Sequence, residues 1–513
     1  MASYRLFQTL MEKLIYVVCI LVATGLFHGT AMAAQQWSDQ YGKSVVEIYA
    51  VVNEPNYTNP WVKVPDIIET GTGSIISGHR IITSAHIVAN STSIKVRKSL
   101  EHKQYDAYVA FVSHESDLAI LNVNEISFFN NTVPLEIALD LVSQKKVLVY
   151  GFPEEENLII TEGVLTDNRY RLYRHTSRTL LAGEILSLIE PGYSGGPVMH
   201  EGMIVGIVMQ ANKSGTIAHT VPTPLIHHFI KDIEDGSYDG FPHLGLITES
   251  GENLLTEAGN AGHSAPGIRI SKIVDGSPAA GKISIDDRLV SINGRTVLPD
   301  GTVEFEPDTY ADYQHAVEQN QVGGDIHVQI LRSGITKDIV VSLDTTREDF
   351  MLIPPEQYDK QPRYFIFGGL IFSPLTKNIL NEWGTVPDDL REKLTSWSSK
   401  DRKEAVAVID VLPAEVNRNY RAARGWIVDT VNGISIRSFD ELYRIVIASR
   451  DEQVTFSNEQ GSQIAIDRQM AFSTHKSILE TYGIRKDRSP DLQTVSENPY
   501  LISANNQNRI IRK

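Results

Sequence analysis

The stretch Pro191-Gly-Tyr-Ser-Gly-Gly-Pro-Val198 limits what this chain can fold into more than any other. One serine hydroxyl sits among three glycines, with a proline near each end. A surface turn also uses Gly, Ser and Pro, but has no need for a serine held this tightly between glycines. Glycines let the backbone bend sharply and bring its N–H groups close to a bound atom. N–H groups aimed at a developing oxyanion are a common way to stabilise acyl transfer. Gly192-x-Ser194-x-Gly196 also fits a nucleophile elbow, in which a helix starts at the serine. Here Gly195, Gly196 and Pro197 follow at once and oppose a helix. Val198-Met-His200 and Met203–Met209, split by Glu201-Gly202, read instead as a β-hairpin.

Short strands and turns extend this pattern from about Lys43 to Ile230. The segments 44–52, 73–76, 81–84, 93–97, 107–112, 118–123 and 147–151 read as strands. The absence of regular helical crossovers points to barrels or sandwiches rather than a parallel sheet. Pro222–Ile233 has apolar residues at helical spacing and predicts a closing helix. Glu234-Asp-Gly-Ser-Tyr-Asp-Gly240 reads as a linker.

A base for Ser194 is expected to be histidine, whose neutral ring accepts a proton near pH 7. Of 15 histidines the best placed is His86, in Arg80-Ile-Ile-Thr-Ser-Ala-His86, where an apolar strand ends in small residues. Taken alone, His86 is equally well read as a partly buried, satisfied side chain. The best acid is Asp117, which opens the apolar run Asp117-Leu-Ala-Ile-Leu; an unpaired carboxylate there is costly to bury. Alone, it also suits a turn cap. Together they give the order His, Asp, Ser, which is that of the chymotrypsin-type double β-barrel.

On Ser84-Ala-His86, Asp117-Leu-Ala-Ile-Leu, Tyr150-Gly-Phe-Pro153, Glu54-Pro-Asn-Tyr-Thr-Asn-Pro-Trp61 and the Ser194 loop, the chain resembles the HtrA/DegP serine proteases, most nearly their plant Deg-type branch. The resemblance runs from about Val45 to about Met470. It implies that Ser194 attacks a peptide carbonyl, His86 shuttles the proton and Asp117 orients His86. It implies an oxyanion hole from the N–H groups of Gly192 and Ser194, with that of Tyr193 as a third donor. Tyr193 departs from the Asn usual in the family at that position. A specificity pocket is expected between Leu188–Pro191 (with Leu188 and Ile189), Ile207–Met209 and His219–Val221 (with Thr220). These segments are mostly apolar, which predicts cleavage after small or medium apolar side chains.

A second unit starts near Phe241. Its Leu244-Gly245-Leu246 and Gly267–Val274, followed by a strand ending Asn293-Gly294, resemble a PDZ domain. The loop would capture a chain terminus and the peptide would lie along a sheet edge. Gly276–Lys282 imitates a phosphate loop, but Ile283 stands where a metal-binding Ser or Thr is required, so no nucleotide is expected. A third unit follows Pro354-Pro355. In it Gly368-Gly369-Leu370 looks like a second carboxylate loop, and Trp426–Ile436 repeats the Asn-Gly strand pattern around a charged, helical insert at Ile379–Lys403.

The 513 residues suffice for roughly three domains. A net charge of −16 argues against non-specific nucleic-acid binding. The single cysteine excludes a zinc-type cysteine cluster, and no metal or other cofactor is expected. Leu14–Phe27 after Lys13, ending near Ala31-Met-Ala33, reads as a signal peptide with an uncleaved membrane anchor as the alternative. The expected layout is therefore a mostly β chain with α+β modules. It comprises a signal peptide (1–33), a chymotrypsin-like double-barrel domain (34–236), a first PDZ domain (240–346), a second PDZ-like domain (356–472) and a polar tail (473–513). The resemblance implies an exported, ATP-independent endopeptidase acting on misfolded proteins and peptide C-termini, as a trimer or a multiple of trimers. Tyr57 and Trp61 are expected either at trimer contacts or in a core. The alternative is a non-proteolytic chaperone or scaffold that binds exposed chain termini.

Overall fold

The computed structural model describes residues 41–493, apart from 100, 154–156, 250–265, 307–308, 385, 387 and 392. The segment expected to be a signal peptide and the end of the tail lie outside the described residues.

Six strands form the first barrel: β1 (Val45–Val52), β2 (Ile67–Ile76), β3 (Arg80–Thr83), β4 (Ser91–Lys98), β5 (Gln104–Ser113) and β6 (Leu118–Val123). They close in the order β1-β2-β3-β6-β5-β4. Alternate β-branched and aliphatic residues, among them Val46, Ile48, Ile81, Ile94, Val96 and Leu121, fill its interior, as the two-residue period of a strand requires. A one-turn helix, α1 (Ala85–Val88), follows β3.

The second barrel uses β7 (Glu136–Ile137), β8 (Lys145–Gly151), β9 (Ile159–Tyr173), β10 (Arg178–Leu186), β11 (Pro197–His200), β12 (Met203–Ala211) and β13 (Ile217–Pro222). Their order is β11-β8-β9-β10-β13-β12-β7, with β11 also pairing β12. The hairpin expected after Ser194 is therefore present, and helix α2 (Thr223–Asp232) closes the domain. The sequence reading has no counterpart to the 15-residue β9. Its polar run Thr166-Asp-Asn-Arg lacks apolar alternation, and only three of its 15 residues are buried. A shared core joins the barrels, with Val45, Ile82 and Ile120 meeting Tyr150, Tyr173, Ile207 and Phe229.

In the second unit, β14 (Leu246–Glu249), β15 (Ile268–Ile273), β16 (Arg288–Ile292), β17 (Arg295–Thr296), β18 (Thr302–Glu306), β19 (Thr309–Asp312), β20 (Asp325–Arg332) and β21 (Ile335–Ser342) surround the short helix α3 (Gln314–Glu318). Strand β14 lies at the end of its sheet, beside β15. In the third unit β22 (Phe365–Phe367), β23 (Leu370–Pro374) and the later β24 (Val406–Val411) are adjacent strands. The insert between β23 and β24 holds helices α4 (Lys377–Trp383) and α5 (Asp388–Arg391). Asn293-Gly294 and Asn432-Gly433 occupy equivalent turns with positive φ throughout. Each asparagine side chain accepts a backbone N–H, from His327 at 3.0 Å and from Thr455 at 2.8 Å. The internal repeat thus extends to side-chain chemistry.

The third unit continues past residue 472. Helix α6 (Arg468–Thr481) crosses that boundary, Ile366 N–H donates to Asp487 O at 2.8 Å, and Leu492 is fully buried. The polarity of this segment reflects its exposed face; its backbone completes a sheet edge.

Candidate active site

Backbone contacts bring the Ser194 loop down onto the end of β3. Thr72 N–H donates to Ser194 O at 2.8 Å, Gly195 N–H donates to Val208 O at 2.8 Å, and Ser84 Oγ donates to the same Val208 O at 3.0 Å. Gly195 has φ +78°, and a Cβ there would lie 2.2 Å from both Thr72 O and Thr83 Oγ1. Only glycine permits this approach, which sets the loop beside Ser84, two residues before His86.

His86 lies in α1, and Asp117 lies in a left-handed bend (φ +55°) just before β6. The Asp117 side chain is 1% exposed and that of His86 is 31% exposed. The carboxylate accepts from His86 N–H at 2.9 Å and meets His86 Nδ1 at 2.8 and 3.0 Å. Burial alone would raise the Asp117 pKa and lower that of His86. The charge and hydrogen bonding within the pair outweigh burial, so Asp117 lies below the usual carboxylate range and His86 above the usual imidazole value. This polarity keeps the carboxylate ionised and the proton on Nδ1, leaving Nε2 as the base.

Among the described residues, Ser194 Oγ has no hydrogen bond to His86, and the N–H groups of Gly192 and Ser194 have no backbone acceptor. Gly192 O is held by Thr72 Oγ1 at 2.7 Å. The third expected donor, the N–H of Tyr193, is instead taken by Glu190 O at 3.3 Å, and the Tyr193 side chain is buried away from the other two. It is 2% exposed, and its hydroxyl pairs with Thr161 Oγ1 at 2.8 Å. No group of three or more His, Cys, Asp or Glu among the described residues is arranged to hold a metal ion.

Residues 71–207 match the trypsin-like peptidase domain family, and residues 248–298 and 353–491 each match a PDZ domain family. The Arabidopsis thaliana protein named protease Do-like 3, mitochondrial, is 31% identical over 459 residues, covering 89% of this chain and 81% of that protein. The chain belongs to the Do-like (HtrA/Deg) serine proteases. Protease Do-like 4, mitochondrial, of the same plant is 29% identical over 88% of this chain and 85% of its own length. A solved HtrA-type protease, AlgW with decapeptide, has 18% identity and a TM-score of 0.47 over 60% of this chain and 96% of its own. This Do-like protease is thus a serine endopeptidase with two PDZ domains.

The expected pocket walls of this protease are largely core. Ile207, Met209 and Val221 sit in the core shared by the barrels, Ile189 sits in the second barrel, and Thr220 is 1% exposed. Strand β12 is buried continuously from Ile204 to Met209, with Ile204, Ile207 and Met209 in one core and Val205 and Val208 in another. Leu188 is exposed, and His219 is half-buried with Nε2 3.8 Å from Glu184.

A cluster beside His86 has no counterpart in the sequence reading. The His175 ring lies 6.1 Å from that of His86, and its Nε2 pairs with His114 Nδ1 at 3.0 Å. Tyr358, near the start of the third unit, stacks on His175 at 4.1 Å and donates its hydroxyl to His175 O. Asp359 meets His114 Nε2 at 2.8 Å and exchanges two hydrogen bonds with Asn90, just beyond α1. Burial pushes His175 down to about 4, helped by the neighbouring histidines. Three segments remote in sequence build this cluster, so no local signal marks it.

Leu244 and Leu246 are buried around Gly245 (φ +73°), where a Cβ would lie 2.1 Å from Ser277 Cβ. Gly245 N–H donates to His243 Nδ1 at 2.8 Å. Gly368-Gly369 forms the two-residue turn of the β22–β23 hairpin, with Leu370 opening β23. The carbonyls of this turn are held by Asn417 Nδ2 and Leu412 N–H. It therefore differs from the open loop expected: β23 is flanked on both sides, and residues 487–489 line β22. Tyr57 and Trp61 pack into the core of the third unit. Glu382 accepts from the N–H groups of Tyr57 and Thr58, at 2.7 and 2.9 Å.

Proposed function

We propose that Ser194, His86 and Asp117 are the catalytic triad and that this protease degrades unfolded or damaged proteins without ATP. The observation that carries the reading is the buried Asp117 carboxylate, which holds both the backbone and Nδ1 of His86. His86 Nε2 takes the Ser194 proton as Oγ bonds to the peptide carbonyl carbon. The N–H groups of Gly192 and Ser194 then hold the oxyanion. His86 returns the proton to the departing amine as the C–N bond breaks, and water releases the acyl group by the same steps. The contact between Ser194 Oγ and His86 forms as substrate binds, since catalytic hydrogen bonds are often loose without ligand.

The first PDZ domain holds an exposed terminus at Leu244-Gly245-Leu246, and the terminal strand of β14 is the edge such a peptide would extend. This tether raises substrate concentration at Ser194. Export through the N-terminal apolar segment and assembly as trimers belong to the same reading. The second PDZ domain, its strand edges covered, serves assembly.

Digestion of casein by the wild type and by Ser194→Ala tests the proposal. Ser194→Ala should lose several orders of magnitude of turnover. Equal residual cleavage by both would leave a chaperone or scaffold instead. Sizing with and without unfolded substrate checks the assembly.

A further inference from the structure

We infer that Arg174 determines specificity by selecting an acidic side chain two positions upstream of the residue at the scissile bond. The inference rests on the peptidase reading above. It begins with the free edge of β12. Strand β13 covers one side of β12 as far as Ala211, which faces Ala218. On the other side β11 stops at Ile207, and Val208 is taken by the backbone of Gly195 and Gly196. Among the described residues, no strand covers Met209–Ala211 there.

Asn212 N–H donates to Ile217 O at 2.8 Å, towards β13. Backbone groups alternate in direction along a strand, so those of Ala211 face the open side. An extended substrate adds to this edge as an antiparallel strand. The Val208 carbonyl is already held by Gly195, so the first carbonyl beyond it belongs to Met209. If the scissile residue meets Met209, the residue two positions upstream meets Ala211.

Arg174 stands at that position, in the turn between β9 and β10. Its Nη1 donates to Ala211 O at 3.2 Å. Its own N–H donates to Gln210 Oε1 at 3.1 Å, and Gln210 Nε2 donates to Leu172 O at 3.2 Å. The adjoining His175 is held from outside by Tyr358. The backbone of Arg174 is therefore anchored at the edge a substrate must use, while its guanidinium rests on the Ala211 carbonyl, which an incoming strand takes over, releasing the guanidinium beside the residue that displaces it.

The other arginines of this hairpin have acids. Arg169 pairs with Asp167 at 2.7 Å, Arg171 with Glu184 at 3.1 Å, and Arg178 with both Glu115 and Glu318. Among the described residues, Arg174 alone of the four has no carboxylate partner. A guanidinium binds a carboxylate more strongly than a neutral carbonyl. A substrate Glu or Asp at this position supplies the missing acid, and a Lys or Arg meets like charge. An exposed pair of this kind contributes a preference of roughly two- to fivefold.

The test uses fluorogenic peptides with an apolar scissile residue and Glu, Ala or Lys two positions upstream. The readout is the ratio of kcat/KM for the Glu and Lys peptides within one preparation, which does not depend on the fraction folded. The wild type should favour Glu over Ala and Ala over Lys. Arg174→Ala should bring the ratio near one, and Arg174→Glu should invert it. Anisotropy of the same labelled peptides on Ser194→Ala gives the preference without turnover. Loss of cleavage with the binding preference intact would count against the triad alone. A wild-type ratio near one by both methods, or a ratio unmoved in both Arg174 variants, would overturn the inference.

Discussion

Gly151→Ala should disable the protease while leaving it folded. An ideal Cβ at Gly151 lies 2.3 Å from Cγ and Cδ1 of Tyr193 and 2.8 Å from Cδ2. Ordinary contact begins near 3.4 Å, so the ring must retreat by about 1.1 Å, the difference between 3.4 and 2.3 Å. Tyr193 is 2% exposed and its hydroxyl is tied to Thr161, so little space exists for that retreat. Overpacking of this kind costs about 1–3 kcal/mol, less than the 5–15 kcal/mol stability typical of a domain. Catalysis is more sensitive. Tyr193 adjoins Ser194, and misplacing a reacting group by about 1 Å costs roughly a hundredfold. The expected result is a kcat/KM on a fluorogenic peptide lowered about a hundredfold, with a thermal midpoint shifted by only a few degrees. Adding Tyr193→Asn to Gly151→Ala should recover part of the rate, because the smaller side chain vacates the contested space. Wild-type turnover in Gly151→Ala, or a double variant no faster than the single, would refute the reasoning.

On the proposed triad, His86 must be neutral to accept the Ser194 proton; burial works to lower its pKa, and the Asp117 charge and hydrogen bond hold it above the ordinary value of 6.5. The rate should therefore rise with pH through a value above 6.5. Asp117→Asn should move that limb to lower pH and lower kcat by about 10⁴-fold; a pH profile of kcat/KM checks the first and steady-state kinetics the second. The depressed Asp117 pKa contributes stability that is present above an unfolded value of about 3.9 and is lost as pH falls through the folded one. Acid unfolding followed by fluorescence should accordingly be flatter in Asp117→Asn. Arg178 is buried between Glu115, Glu318 and the Phe241 ring. Arg178→Ala leaves Glu318, 7% exposed, without its counter-charge, and should cost about 3–5 kcal/mol. Denaturant midpoints measure the loss, and a second change, Glu318→Gln, should restore part of it.

The pairing of His86 with Asp117 was legible, and the Ser194 loop with it, because each of these residues interrupts a strong local pattern. His86 ends an apolar strand in small residues, Asp117 opens another, and Ser194 sits among glycines that rule out a helix. The paired Asn-Gly turns of the second and third units were legible for the same reason, since few residues tolerate positive φ. The pocket walls were not, because β12 is apolar on both faces and buried from Ile204 to Met209, and composition does not say which face meets which core. Strand β9 escaped notice through its polar residues, few of which are buried. The cluster of His114, His175, Tyr358 and Asp359 escaped notice because it is purely tertiary, with partners up to 269 positions apart around Asp359. The polar segment after residue 472 looked like a tail, yet its ordering comes from backbone pairing, which leaves no trace in composition.

The seat of Tyr57 and Thr58 on Glu382 has a consequence for how the chain is made. The partners are separated by up to 325 positions, so the segment between β1 and β2 leaves the ribosome long before its dock exists. At about 5–20 residues per second, that interval lasts roughly 15–65 s. During synthesis the first barrel must therefore hold together with this arm unsupported, and Tyr57 must stay in water until the last unit has been completed. Contacts of such long range are also the slowest to close.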